Sequence, residues 1–152
     1  MDIKAQKEWL RIGQVARRLD ISVETIRMYE RAGLFIPQRL ENGQRVYDEE
    51  DVHWLSCIRK LINEQGLNIE GVRRLLSLLP CWELKPCSSE SMQSCPAYTG
   101  TYKKPCWMMK DELAIECQQA DCRTCAVYRS AARCDNLKVL LFRHIAAGSS
   151  KA

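Results

Sequence analysis

The sequence predicts a mainly α-helical protein: helices with a two-stranded wing up to residue 79, then a small irregular cysteine-rich metal-binding module, then a C-terminal helix. Three observations predict it. Apolar residues recur at helical spacing through residues 12–79. Asn42-Gly43, the strongest short hairpin signal, stands between two polar segments. The nine cysteines are uneven, with only Cys57 before residue 81 and the rest between Cys81 and Cys134, a stretch that follows Pro80 and is broken by Pro86, Pro96 and Pro105. Proline restricts the residue before it and rarely continues a helix, so a boundary falls near Leu79-Pro80.

The elements follow in order. Ile12, Val15, Ala16 and Leu19 mark a first helix. After the tight connection Asp20-Ile21-Ser22, Ser22 is a natural N-cap for a three-turn helix that Gly33 ends. Thr25 takes the place where a capping box prefers Glu or Gln. Two short helices so joined form a helix-turn-helix. Asn42-Gly43 then turns a wing of Arg39-Leu40 against Arg45 to Tyr47. A third helix runs from Glu49 to Glu64, its acidic Glu49-Glu50-Asp51 start matching the positive end of the helix dipole. Its apolar face is Val52, Leu55, Cys57 or Ile58, Leu61 and Ile62, with Cys57 read as a small buried hydrophobe. Asn68 to Leu79 is a fourth helix with Ile69, Val72, Leu75, Leu76 and Leu79 on one side.

Composition narrows the function. A formal net charge of +4 permits a polyanionic partner without demanding one. No apolar run approaches the roughly 20 residues that span a bilayer, and the first residues lack a secretory apolar core. The expectation is a cytoplasmic protein without membrane association, in which clustered thiols bind metal or do redox chemistry rather than form a disulfide framework. No acid–base constellation or nucleotide loop is visible, and Cys122-x-x-Cys125 lacks the strand-to-helix setting of thiol oxidoreductases, so the reading is not an enzyme.

Arginines are placed where a duplex reader needs them: Arg27 and Arg31 on the second helix, Arg17 and Arg18 closing the first, Arg39 and Arg45 flanking the wing. The segments ETIRMYERAGL, PQRLENGQRVYDEEDV and GLNIEGVRRLL, in that order within residues 10–79, resemble the N-terminal DNA-binding domain of MerR-family transcription regulators. The resemblance implies a winged helix-turn-helix that docks on double-stranded promoter DNA as a homodimer. It implies recognition-helix contacts from Thr25, Arg27 and Tyr29 and backbone contacts near Gln14, Val15 and Arg17. Arg45 and Tyr47 then anchor the wing, unless Tyr47 only packs the wing on the core. It also implies regulation by distortion: the operator is bent and undertwisted so that RNA polymerase finds both promoter elements aligned, a deformation within the few kcal/mol that ligand coupling supplies. Typical members carry a long dimer helix after the fourth helix. Here Pro80 and Cys81 occupy that place, leaving Trp107 to Ala120, or Ala131 to Ala147 with its Leu137, Leu140, Leu141 and Ile145 stripe, as substitutes.

Residues 80–130 read as a sensor module. Cys81-Trp82 and Cys106-Trp107 open, and Cys95-x-x-Tyr98 and Cys125-x-x-Tyr128 close, two loose copies of one layout. Over about residues 81–129 this resembles a two-CW domain. A short irregular segment lacks the surface to fold alone, and thiolate coordination supplies cross-links. Cys122 and Cys125 have the spacing that presents two sulfurs to one metal, with partners among Cys81, Cys87, Cys95, Cys106 and Cys117. Cys134 is a ligand or a plain helix residue. Lys103, Lys104, Lys110 and Arg123 would favour thiolates, and Trp82, Trp107, Tyr98 and Tyr128 would form a small aromatic core. An iron–sulfur cluster that reports redox state suits this many thiols, with zinc, structural or sensed, as the alternative and metal-free disulfides after it. The spacing matches neither the tight four-cysteine run of the family's redox sensor nor the loop of its metal-ion sensors.

Overall fold

A computed structural model describes residues 8–85, 88–100 and 104–131. The reader comprises α1 (Ile12–Leu19), α2 (Val23–Arg31), β1 (Gln38–Arg39), β2 (Arg45–Val46), α3 (Glu49–Asn63) and α4 (Ile69–Leu76). The cysteine-rich part adds α5 (Cys81–Leu84), α6 (Ser89–Ser94), α7 (Pro96–Thr99), α8 (Ile115–Gln118) and α9 (Ala126–Ala131). Three-residue 3₁₀ turns at Cys106–Met108, Lys110–Glu112 and Cys122–Thr124 link these short helices. The mainly helical expectation holds. Trp107 to Ala120 is not one helix, however: two turns and the four-residue α8 replace it, as Pro105 and the mixed polar sequence offer no sustained apolar stripe. The candidate helix at residues 131–147 lies outside the described residues, save for Ala131.

Local chemistry explains the boundaries. The Ser22 hydroxyl accepts from the Thr25 amide at 3.0 Å and meets the Thr25 hydroxyl at 2.8 Å, so Thr25 closes the start of α2 in place of Glu or Gln. Asp48 caps α3 in a reciprocal box: its carboxylate accepts from the Asp51 amide at 2.8 Å, and the Asp51 carboxylate accepts from the Asp48 amide at 2.9 Å. Asn68 caps α4 through the Gly71 amide at 2.7 Å, and the helix ends at Leu76, short of Leu79. The wing pairs Gln38 with Val46 and Arg39 with Arg45, one residue earlier than the hairpin signal suggests. Tyr47 instead bridges to Leu10.

One core runs through both parts. Val15, Ile26, Leu34, Leu55, Ile58, Val72 and Leu76 pack together, and Val127 and Tyr128 of α9 belong to the same cluster, with Cys81, Cys106, Trp107 and Cys125 at its margin. The cysteine-rich segment is therefore packed into the base of the reader. Cys57 is buried as read, and it is also disulfide-bonded, which its helical spacing gave no means to see. Among the described residues no helix is long and apolar enough to cross a membrane.

Candidate nucleic-acid interface and thiol cavity

On the reader, α1 and α2 present Gln14, Arg17 and Arg27 exposed and Thr25 half-buried. Gln14 also accepts from the Arg11 amide at 2.8 Å, which fixes the start of α1. Arg45 on the wing donates through Nε to Glu30 at 2.8 Å, and Arg39 stands 3.7 Å from the same carboxylate. Glu30 thus ties the recognition helix to the wing and holds two wing cations in place. Three of the expected contact residues lie on inward faces. Val15 (0% exposed), Tyr29 (3%) and Tyr47 (0%) are packed in the core, because on each element they occupy the inward face. Tyr47 stacks on Phe35 at 5.7 Å, and in this conformation these side chains shape the reader without reaching its surface. The packing option for Tyr47 is the one the structure takes.

Beneath the reader, Cys81, Cys95, Cys106, Cys117, Cys122 and Cys125 line one cavity of about 630 Å³, counting its open mouth. None of the six is in a disulfide. Cys87 and Cys134 lie outside the described residues. The wall between the thiols is apolar, built from residues such as Met92, Leu113 and Val127, and among the described residues it contains no carboxylate and no histidine, with Lys85 as its one full charge. The two sequence copies are visible in space. Trp82 packs edge-on against Tyr98 at 5.3 Å and Trp107 against Tyr128 at 5.1 Å, so each Cys-Trp pairs with the tyrosine of its own copy.

Among the described residues no three of His, Cys, Asp and Glu stand close enough to hold a single metal ion. What the lining offers a metal is thiol sulfur alone, a soft donor set that suits zinc or iron–sulfur chemistry.

Electrostatics set the resting state of the thiols. Burial pushes Cys106 up to about 12 from an ordinary 9.0, and Cys81, Cys125, Cys122 and Cys117 add to the shift. Cys122 is also raised by burial, against the opposing pull of Lys110 and Lys85. Burial therefore favours the protonated thiol at Cys106 and Cys122, so a metal taking these two sulfurs as thiolates would displace their protons. The same shift has a sign for folding. Between those values the unfolded chain has lost a proton that the folded chain keeps, so metal-free stability declines as pH rises above about 9. Denaturant midpoints measured over roughly pH 7 to 10 check this, and a flat profile contradicts it.

Arg123 is not beside the thiols as its sequence position suggested. It is 4% exposed and reaches into the reader: Nη1 donates to Asp51 at 2.8 Å and to the Ile36 carbonyl at 2.7 Å, and Nη2 donates to Asp51 at 2.7 Å and approaches Asp48 at 3.4 Å. Trp107 donates through its indole N–H to the Gly33 carbonyl at 2.7 Å, and the Ile36 amide donates to the Tyr128 hydroxyl at 2.9 Å. Sequence reasoning missed this junction. The Asp48-x-x-Asp51 spacing signalled a helix cap, but nothing local showed that its carboxylates also receive a distant arginine. Gly33 is the other half of the joint. Its φ is +77°, and a Cβ there would lie 2.5 Å from the Met108 side chain. Gly33→Ala is expected to cost about 2 kcal/mol or more, read by chemical denaturation.

A helix-turn-helix with exposed arginines on its second helix and on a paired wing defines a DNA-binding regulator domain. The model for "MerR HTH family regulatory protein" matches residues 10–79, and this part of the chain is a MerR-family helix-turn-helix domain. The chain is similar to the HTH-type transcriptional regulator AdhR of Bacillus subtilis, 42% identical over 64 residues, covering 41% of this chain and 45% of that protein. It is 37% identical over 76 residues to the mercuric resistance operon regulatory protein of Bacillus cereus, covering 49% of this chain and 57% of that one. To ZntR of Escherichia coli it is 33% identical over 94 residues, 57% of this chain and 66% of that regulator. The chain spans about half the length of the curated relatives it matches first. No solved structure matches it.

Proposed function

We propose that this protein is a sequence-specific transcription regulator that binds promoter DNA as a homodimer in the cytoplasm. On this reading it senses redox state or metal through a cysteine-ligated iron–sulfur cluster and distorts the operator for RNA polymerase. The observation that carries the reading is the placement of six cysteines, none in a disulfide, along one apolar cavity whose Trp107 bonds the joint between recognition helix and wing. Cys81, Cys95, Cys106, Cys117, Cys122 and Cys125 would hold the cluster, with Cys87 as a further candidate. Such a group supplies a charge and an integrity that change with oxidation. The chain's own residues do the rest. The apolar wall and the two Trp–Tyr pairs would flank the bound group, and Arg123, Trp107 and Tyr128 hold the cavity to the reader.

On the DNA side, Arg27 is proposed for base or phosphate contact from α2, with Thr25 beside it. Gln14 and Arg17 would meet the backbone, and Arg45 would exchange its Glu30 partner for a phosphate. The test is selection of an operator from random duplexes, followed by titration at several salt concentrations. Arg45→Ala is expected to weaken binding to all sequences and reduce the salt slope by about 1, while metal content stays the same. An unchanged slope removes Arg45 from the phosphate contacts. Run-off transcription with loaded and metal-stripped protein then checks regulation, and equal output from both contradicts sensing.

A second reading, a zinc site, draws on similarity to the mercuric resistance regulator and to the heavy metal-dependent transcription regulator 2 of Rhizobium meliloti, 34% identical over 70 residues. On this reading zinc is structural or sensed.

A further inference from the structure

We infer that the two cysteine-bearing turns, Cys106–Met108 and Cys122–Thr124, are levers that make the geometry of the recognition-helix-to-wing joint depend on what occupies the thiol cavity. The inference rests on the proposed reading of the cavity as the effector site and supplies its route to DNA.

The joint is the segment from Gly33 to Ile36, between the end of α2 and β1. Its backbone is held from two sides: the Gly33 and Leu34 amides donate to the Glu30 and Tyr29 carbonyls of α2 at 3.0 and 3.1 Å. The Leu34 carbonyl accepts from the Trp54 indole of the reader's own α3 at 2.8 Å. The Gly33 carbonyl, the Ile36 amide and the Ile36 carbonyl are instead satisfied by Trp107, Tyr128 and Arg123, all from the cysteine-rich part. Buried backbone groups left without such partners are costly, so these bonds fix where the joint sits.

Each lever couples the two sites through one peptide unit. Cys106 lines the cavity, and the next residue, Trp107, bonds Gly33, while Met108 fills the space beside the same glycine. Cys122 and Cys125 line the cavity, and Arg123 between them bonds Ile36 at the entrance to the wing and Asp48 and Asp51 at its exit. In a 3₁₀ turn successive side chains point about 120° apart, so a thiol and its neighbour face different ways on a rigid unit. Moving the sulfurs moves the contacts. Both ends of the wing and the end of the recognition helix lie on those contacts, and in a packed core such shifts switch between discrete arrangements.

The test reads the joint without needing an operator. Amide hydrogen exchange is followed in the full chain before and after alkylation of the cavity thiols with N-ethylmaleimide. Wild type is expected to show the Leu34 and Ile36 amides accelerate by at least about tenfold, while the Leu55 and Ile58 amides of α3 stay protected. Trp107→Phe keeps the ring but lacks the N–H, and Arg123→Lys keeps the charge but lacks the fork. Each should cut the response, and together they should leave less than about threefold. An unresponsive wild-type joint, variants that respond like wild type, or acceleration spread equally into α3 overturns the lever. Metal analysis on the same samples separates the two ideas. Protein without iron or zinc defeats the reading of the site, whereas metal-loaded protein with an unresponsive joint defeats the lever alone.

Discussion

Arg123→Met is expected to destabilise the protein by about 3–5 kcal/mol at neutral pH. The side chain is buried and satisfies two carboxylates, Asp48 and Asp51, that are themselves 2% exposed. Removing it leaves buried negative charge facing apolar surroundings, which costs far more than the net worth of the pair. Burial pushes the Asp51 carboxyl up even with Arg123 in place, since desolvation outweighs the arginine. Without the cation the shift grows, so the carboxylate's charged form destabilises the fold as pH rises and the penalty shrinks as the solution is acidified. The triple variant Asp48→Asn, Asp51→Asn, Arg123→Met removes the charges together and should recover a large part of the loss. Urea denaturation at neutral pH and near pH 4 checks all three statements; a loss below about 1 kcal/mol contradicts the account of the junction.

The second large effect concerns the cavity. Cys106→Ser and Cys122→Ser are each expected to lower bound metal to less than about a tenth of wild type, because a hydroxyl is a poor replacement for a thiolate. Stability should fall with metal content, as binding free energy is also folding free energy at such sites. Cys57→Ser is the contrasting variant: Cys57 is absent from the cavity wall, and its replacement should leave metal content unchanged. Full metal loading in both cavity variants removes these two sulfurs from the ligand set.

Much of the reader was legible in the sequence because its signals are local. Ser22, Asn42-Gly43 and Asn68 act through hydrogen bonds or backbone angles within a few residues, and each does what its type dictates. Arg17, Arg27 and Arg45 were readable as surface cations, whereas the burial of Val15, Tyr29 and Tyr47, which resemblance put among the DNA contacts, was not. The paired layout of the Cys-Trp and Cys-x-x-Tyr motifs also came through, in the two Trp–Tyr contacts. The junction did not. Arg123 lies 72 residues from Asp51 and 87 from Ile36, and such a pairing leaves no periodicity or motif behind. Its setting between two cysteines pointed the wrong way, toward the thiols.

On the proposed function, the cysteines that line the cavity hold an iron–sulfur cluster. The most direct measurement is iron, zinc and acid-labile sulfide content, with the visible spectrum, of the full chain purified without oxygen. The account predicts brown protein containing iron and sulfide together. Colourless protein, with zinc alone or with no metal at all, contradicts it.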